Sequence, residues 1–111
     1  QVMGARRPPV SHLRERDGNF LEVESGAGAG KWNLCGSLCT VADVLARNLE
    51  ISEPFQDDYF LFGRIGAYSV TEGIYLFLSR DLPRVFFWQD GKMDLVRDSH
   101  GTWKWNSRDR A

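Results

Sequence analysis

The sequence predicts an all-β fold, a mostly antiparallel Greek-key-like β-barrel or sandwich carrying one short α-helix. Three observations lead there. Apolar and acidic residues alternate over residues 20–24, the period of a half-buried strand. Residues 59–65 are a run of β-formers with apolar side chains on both faces. Asp90-Gly91 lies between two β-rich runs, the preferred pair for a two-residue hairpin turn because both positions accept positive φ. The elements show no strand–helix–strand rhythm of a parallel sheet.

Taken in order, the chain opens on Gln1 with a strand-like Val2-Met3, which reads as a cut through a longer protein. Residues 5–19 are rich in Arg, Pro and charge, and Pro8-Pro9 forbids a helix, so they read as an exposed loop or edge. The strand at 20–24 ends in the glycine-rich stretch 25–30. A phosphate-binding loop needs glycine where Ser25 stands and a hydroxyl residue where Trp32 stands, and the dinucleotide spacing counted from Gly26 and Gly28 meets Lys31. A mobile hairpin loop is the better reading, followed by a strand over 31–36. Thr40-Val41-Ala42-Asp43 fits a capping box, and Val41, Val44, Leu45 and Leu49 are spaced for a short amphipathic helix closing before Pro54. Asp57 and Asp58 lead into 59–65, read as a central strand; 74–78 reads as another, and 85–96 as a hairpin. The alternation Trp103-Lys104-Trp105 reads as an edge strand; without a basic groove beside it, it is no platform for nucleic acid.

The 111 residues suit one domain, expected over 1–106 with 107–111 as a disordered tail. Hydrophobic residues at 42% and aromatics at 13% are enough for a core, and a net charge of −1 provides no global field toward nucleic acid or an anionic membrane. No stretch approaches the ~20 apolar residues of a membrane span and no signal-peptide core is present, so a soluble, cytoplasmic protein is expected. Two cysteines and two histidines, His12 and His100, are too few and too scattered for a metal site. Cys35, within a strand, reads as a small buried hydrophobe.

Two segments carry chemistry. In Gly36-Ser37-Leu38-Cys39-Thr40-Val41-Ala42-Asp43, Cys39 precedes the expected helix start, where partial positive charge favours thiolate and proton exchange. In Gly63-Arg64-Ile65-Gly66-Ala67-Tyr68-Ser69, Gly66-Ala67 allows close backbone approach and Tyr68 offers a phenol donor suited to phosphate or carboxylate.

The pattern G-x-x-C-x-x-x-D, followed about 25 residues later by an apolar strand and G-A-Y-S, with Leu82-Pro83-Arg84-Val85 and the Asp-Gly hairpin after it, resembles the C-terminal β-barrel domain of the fold-type III pyridoxal-phosphate decarboxylases. That family includes the diaminopimelate, ornithine and arginine decarboxylases, and the resemblance runs from about Lys31 to Asp98. It implies an absent N-terminal (β/α)₈ barrel of about 250 residues that carries the cofactor lysine, and a homodimer whose β domain completes the partner's active site. It further implies that Cys39 returns a proton to the substrate carbon after carbon dioxide leaves, and that Gly66 and Tyr68 lie against the cofactor phosphate. Asp43 also matches, though capping explains it equally well. The residue after the cysteine is acidic in the diaminopimelate and ornithine enzymes and meets the far end of the substrate; here it is Thr40, which cannot pair with a distal ammonium. The substrate amino acid is therefore left open. The lysines Lys31, Lys92 and Lys104 sit in loops and tail, so the isolated chain is expected to be inactive. The rival readings are a non-catalytic assembly or regulatory relative, and a free-standing β-barrel binding module.

Overall fold

The computed structural model describes residues 9–108; the strand-like Val2-Met3 and the last three residues of the tail lie outside them. Among the described residues the fold is all-β, in antiparallel sheets, with a single short α-helix. No closed barrel is found among the described residues; the strands form three separate sheets. The chain divides into two compact units, Gln1–Ser69 and Val70–Ala111. No helix among the described residues is long and apolar enough to cross a membrane.

In the first unit, β1 (Val10–Arg16) is the centre of a three-stranded sheet, between β2 (Asn19–Glu22) and β5 (Tyr59–Phe62). This corrects the reading of residues 5–19 as loop or edge for the part that is described. Its inward side chains are polar, His12 and Arg14, which hides the strand from a hydrophobic-periodicity argument. It also corrects β5, which is an edge strand and not a central one. Tyr59 and Leu61 face outward while Phe60 and Phe62 are half-buried, so its two apolar faces are unequal.

A second sheet pairs β3 (Gly30–Cys35) with β4 (Val44–Ile51). The helix expected from Thr40 onward is therefore a strand, and its pairing with β3 carries two β-bulges. Trp32 pairs with Leu49 and Leu34 with Ala46, so β4 spends one residue more than β3 there; a second extra residue falls between Ala46 and Val44. Asn48 takes φ of +52° at the first bulge, and its N–H donates to Asn33 Oδ1 at 2.9 Å. The inward residues of β4 are thus Val44 and Ala46, then Leu49 and Ile51. Of the four residues spaced for a helix, only Val44 and Leu49 face inward; Val41 is exposed in the bend before β4 and Leu45 points outward. Because β3 pairs with β4, the glycine-rich stretch joins strands of different sheets and is not a hairpin loop. Ser25 Oγ donates to Glu50 O at 2.9 Å and Ser52 Oγ to Glu24 O at 2.7 Å, tying that connection to the end of β4.

In the second unit, β6 (Val85–Gln89) and β7 (Lys92–Arg97) form the expected hairpin. Asp90 and Gly91 both take positive φ, +51° and +73°, as the turn requires. A Cβ at Gly91 would meet nothing within 4 Å, so the cost of substitution there is purely conformational. Gly91→Ala is expected to weaken the hairpin by about 1 kcal/mol, read as faster amide exchange across β6 and β7 than elsewhere. Phe86 pairs with Leu95 and Trp88 with Met93 on one face, and all four are exposed.

Two further expectations fail in this unit. Residues 74–78 form no strand, because Leu76, Leu78 and Ser79 adopt left-handed backbone, with φ between 54° and 60°, and so break the alternation. The Trp-Lys-Trp segment is not an edge strand but the one-turn helix α1 (Trp103–Asn106). Its entry is set by Thr102, which is fully buried and donates its hydroxyl to Arg80 O at 2.6 Å. The isolated bridge between Leu82 and His100 holds the same corner.

Candidate functional site

The first chemical segment folds as a bend, not as a helix start. β3 ends at Cys35, and Leu34 is the inward residue, so alternation turns Cys35 outward; it is exposed, against the expectation that it is buried. Beyond it the chain loops back to β4 through 36–43. Asp43 closes this loop three times: its carbonyl accepts from the Gly36 N–H at 2.9 Å, its N–H donates to Thr40 O at 3.3 Å, and its carboxylate accepts from the Leu38 N–H at 2.9 Å. The Thr40 hydroxyl accepts from the Ala42 N–H at 3.2 Å. Thr40 and Asp43 thus satisfy amides of a bend, the local competition that polar side chains offer to helix formation. Cys39 is exposed at the tip. With no helix behind it, no helix dipole acts on its sulfur, which corrects the expected route to thiolate.

Gly36 has a specific reason to be glycine. A Cβ built on it would overlap the Asp43 carboxylate, so any side chain there displaces Asp43 from the Leu38 amide.

The second segment follows β5. Gly63 N–H donates to Pro9 O at 2.8 Å, and the chain then turns through left-handed Arg64 (φ +53°) and Gly66 (φ +76°) into a 3₁₀ turn, Ala67–Val70. Ser69 Oγ donates back to Gly66 O at 2.8 Å. Tyr68 is 70% exposed, and a Cβ at Gly66 would meet nothing within 4 Å, so backbone and phenol are both open to an approaching group. Cys39, Thr40 and Asp43 therefore share one loop and Gly66 and Tyr68 another, each held by hydrogen bonds of its own.

A third cluster was not singled out from the sequence. Asp58, at the entry to β5, is clamped by two β1 side chains. Arg14 donates from Nε to Oδ1 and from Nη2 to Oδ2, both at 2.8 Å, and His12 Nε2 lies 2.6 Å from Oδ2. The Phe55 N–H donates to Oδ2 at 2.8 Å. His12 and Asp58 side chains are each 2% exposed. The His12 ring stacks on Phe60 and its buried Nδ1 has no hydrogen-bond partner; because an ionised carboxylate only accepts, Nε2 is the nitrogen that donates to Asp58. The Arg14 guanidinium lies 3.7 Å over the Phe55 ring. The Arg14 guanidinium holds the Asp58 carboxyl far below its ordinary value of 3.8, helped by the Phe55 amide and His12 and opposed by burial. A cleft of about 350 Å³ opens beside this cluster, bordered by Arg14, Phe55 and the acidic Glu15, Asp17 and Asp57. The sequence signal was the pair of polar residues at alternate positions, His12 and Arg14, with a carboxylate just ahead of a later strand. No contiguous motif joins them.

No group of three or more metal-ligating side chains comes together among the described residues. Compared with known protein families, characterised proteins and solved structures, the chain matches none.

Proposed function

We propose that this chain is the C-terminal β domain of a cytoplasmic, pyridoxal-phosphate-dependent amino-acid decarboxylase. It completes, in a homodimer, an active site whose remaining parts belong to an N-terminal (β/α)₈ barrel. The observation that carries this reading is the loop Gly36-x-x-Cys39-x-x-x-Asp43 with its thiol exposed at the tip, followed by the Gly66-Ala67-Tyr68 turn with its phenol exposed. The residues fit one side of the cofactor. Tyr68 hydroxyl and the open backbone at Gly66 suit a phosphate, while Lys31, Lys92 and Lys104 are all exposed, so the cofactor-bearing lysine is assigned to the barrel.

When bound, pyridoxal phosphate supplies the electron sink for breaking the bond between the α-carbon and its carboxylate. Cys39 would hold the proton that replaces the lost carboxylate on the α-carbon, its thiol becoming thiolate as the S–H bond breaks and the C–H bond forms. Tyr68 anchors by hydrogen bond, and Thr40 meets the substrate with a neutral hydroxyl, which disfavours a distal ammonium as its partner.

The test joins this domain to the segment encoded upstream in its reading frame and assays carbon dioxide release from a panel of amino acids with added cofactor. Release that disappears when the β domain is deleted supports the reading. An upstream segment that encodes no lysine-bearing barrel overturns it and leaves the free-standing binding module.

A further inference from the structure

We propose that Asp43 is a positioning residue, seated over Gly36 so that its carboxylate closes the 36–43 loop and fixes the point from which Cys39 reaches a substrate. Leu38 and Thr40, the two neighbours of Cys39, are both tied to Asp43: the Leu38 N–H to its carboxylate at 2.9 Å, the Thr40 carbonyl to its N–H at 3.3 Å. The Asp43 carbonyl then takes the Gly36 N–H at 2.9 Å, which closes the loop at its base. The thiol therefore rides on a tip braced on each side by one residue. Such bracing matters to a proton donor, because a displacement of about 1 Å in a reacting group costs up to about 100-fold in rate.

Gly36 is the other half of the device. Only a residue without Cβ leaves room for the carboxylate where it sits. Gly36 and Asp43 thus form one clasp written at two positions, with Cys39 carried between them. The clasp stands on geometry alone; its catalytic use rests on the decarboxylase reading.

Three measurements test it. In the 111-residue chain, Asp43→Ala is expected to speed exchange of the Leu38 amide at least about tenfold while leaving the β3–β4 amides protected; Asp43→Asn, whose side-chain carbonyl still accepts, retains most of the protection. In a double-mutant cycle, Gly36→Ala lowers stability in the natural background and far less in the Asp43→Ala background, where the carboxylate it collides with is gone. Effects that simply add would overturn the clasp. In the chain joined to its cofactor-loaded barrel, Asp43→Ala lowers kcat about tenfold with KM changed less than about twofold, and Asp43→Asn restores most of kcat. Lost Leu38 protection with unchanged kcat overturns the positioning role. Absence of turnover in the unsubstituted protein sinks the decarboxylase reading and with it the catalytic use of the clasp, whereas the exchange and coupling results still decide the clasp.

Discussion

Replacing Asp58 with alanine is expected to cost the first unit about 3 kcal/mol of folding stability, measured by urea denaturation. The loss is large because one carboxylate serves three donors. Without it the His12 Nε2 proton and the Phe55 amide lose their acceptor, and the half-buried Arg14 side chain is left without its counter-charge. The same group sets an acid limit. Its carboxyl is held below the ordinary 3.8, chiefly by Arg14, so the charged form is favoured by folding. For a depressed carboxyl, the stabilisation is complete above the ordinary value and is lost as pH falls below about 4 toward the folded value. Asp58→Asn should accordingly flatten the stability profile in that acid window. A variant with the same acid slope as the natural protein would show that other carboxyls govern it. The Arg84–Asp98 pair is the control: both side chains are more than half exposed, and removing it should leave the urea midpoint unchanged.

Cys39→Ala is expected to slow decarboxylation about a hundredfold, or to divert protonation to another product, while cofactor affinity stays the same. The thiol is exposed and takes no part in the hydrogen bonds that close its loop, so the substitution leaves the fold intact and the change can be read as chemistry. Equal thermal midpoints for the two proteins check this directly. Turnover and product both unchanged would remove Cys39 from the mechanism and favour an assembly or regulatory role for the domain.

What was legible in the sequence was local. Asp90-Gly91 specifies its turn through the φ values of two adjacent residues, and the hairpin forms as read. The strand over 30–35 likewise follows from its own β-formers. The Cys39 loop was legible as a unit because its parts are contiguous, although the Asp43 carboxylate takes the Leu38 amide and not the Thr40 amide that a capping box would give it.

The errors share a cause. Periodicity assumes an unbroken element, and β4 is broken twice; its inward residues shift from 44 and 46 to 49 and 51, which neither a strict period of two nor the helical set 41, 44, 45 and 49 describes. The one-turn helix at Trp103 depends on a hydroxyl bond from Thr102 to Arg80, 22 residues away.

By itself the sequence determined that the protein is all-β, where one of its two Asp-Gly hairpin turns lies, and which thiol, phenol and glycines are grouped along the chain, because each depends on neighbours a few residues apart. Only the tertiary structure decided that β1 is an inner strand and that His12 and Arg14 converge on Asp58. Their partner stands 44 to 46 residues away, and a buried polar face is stable only when that distant carboxylate arrives.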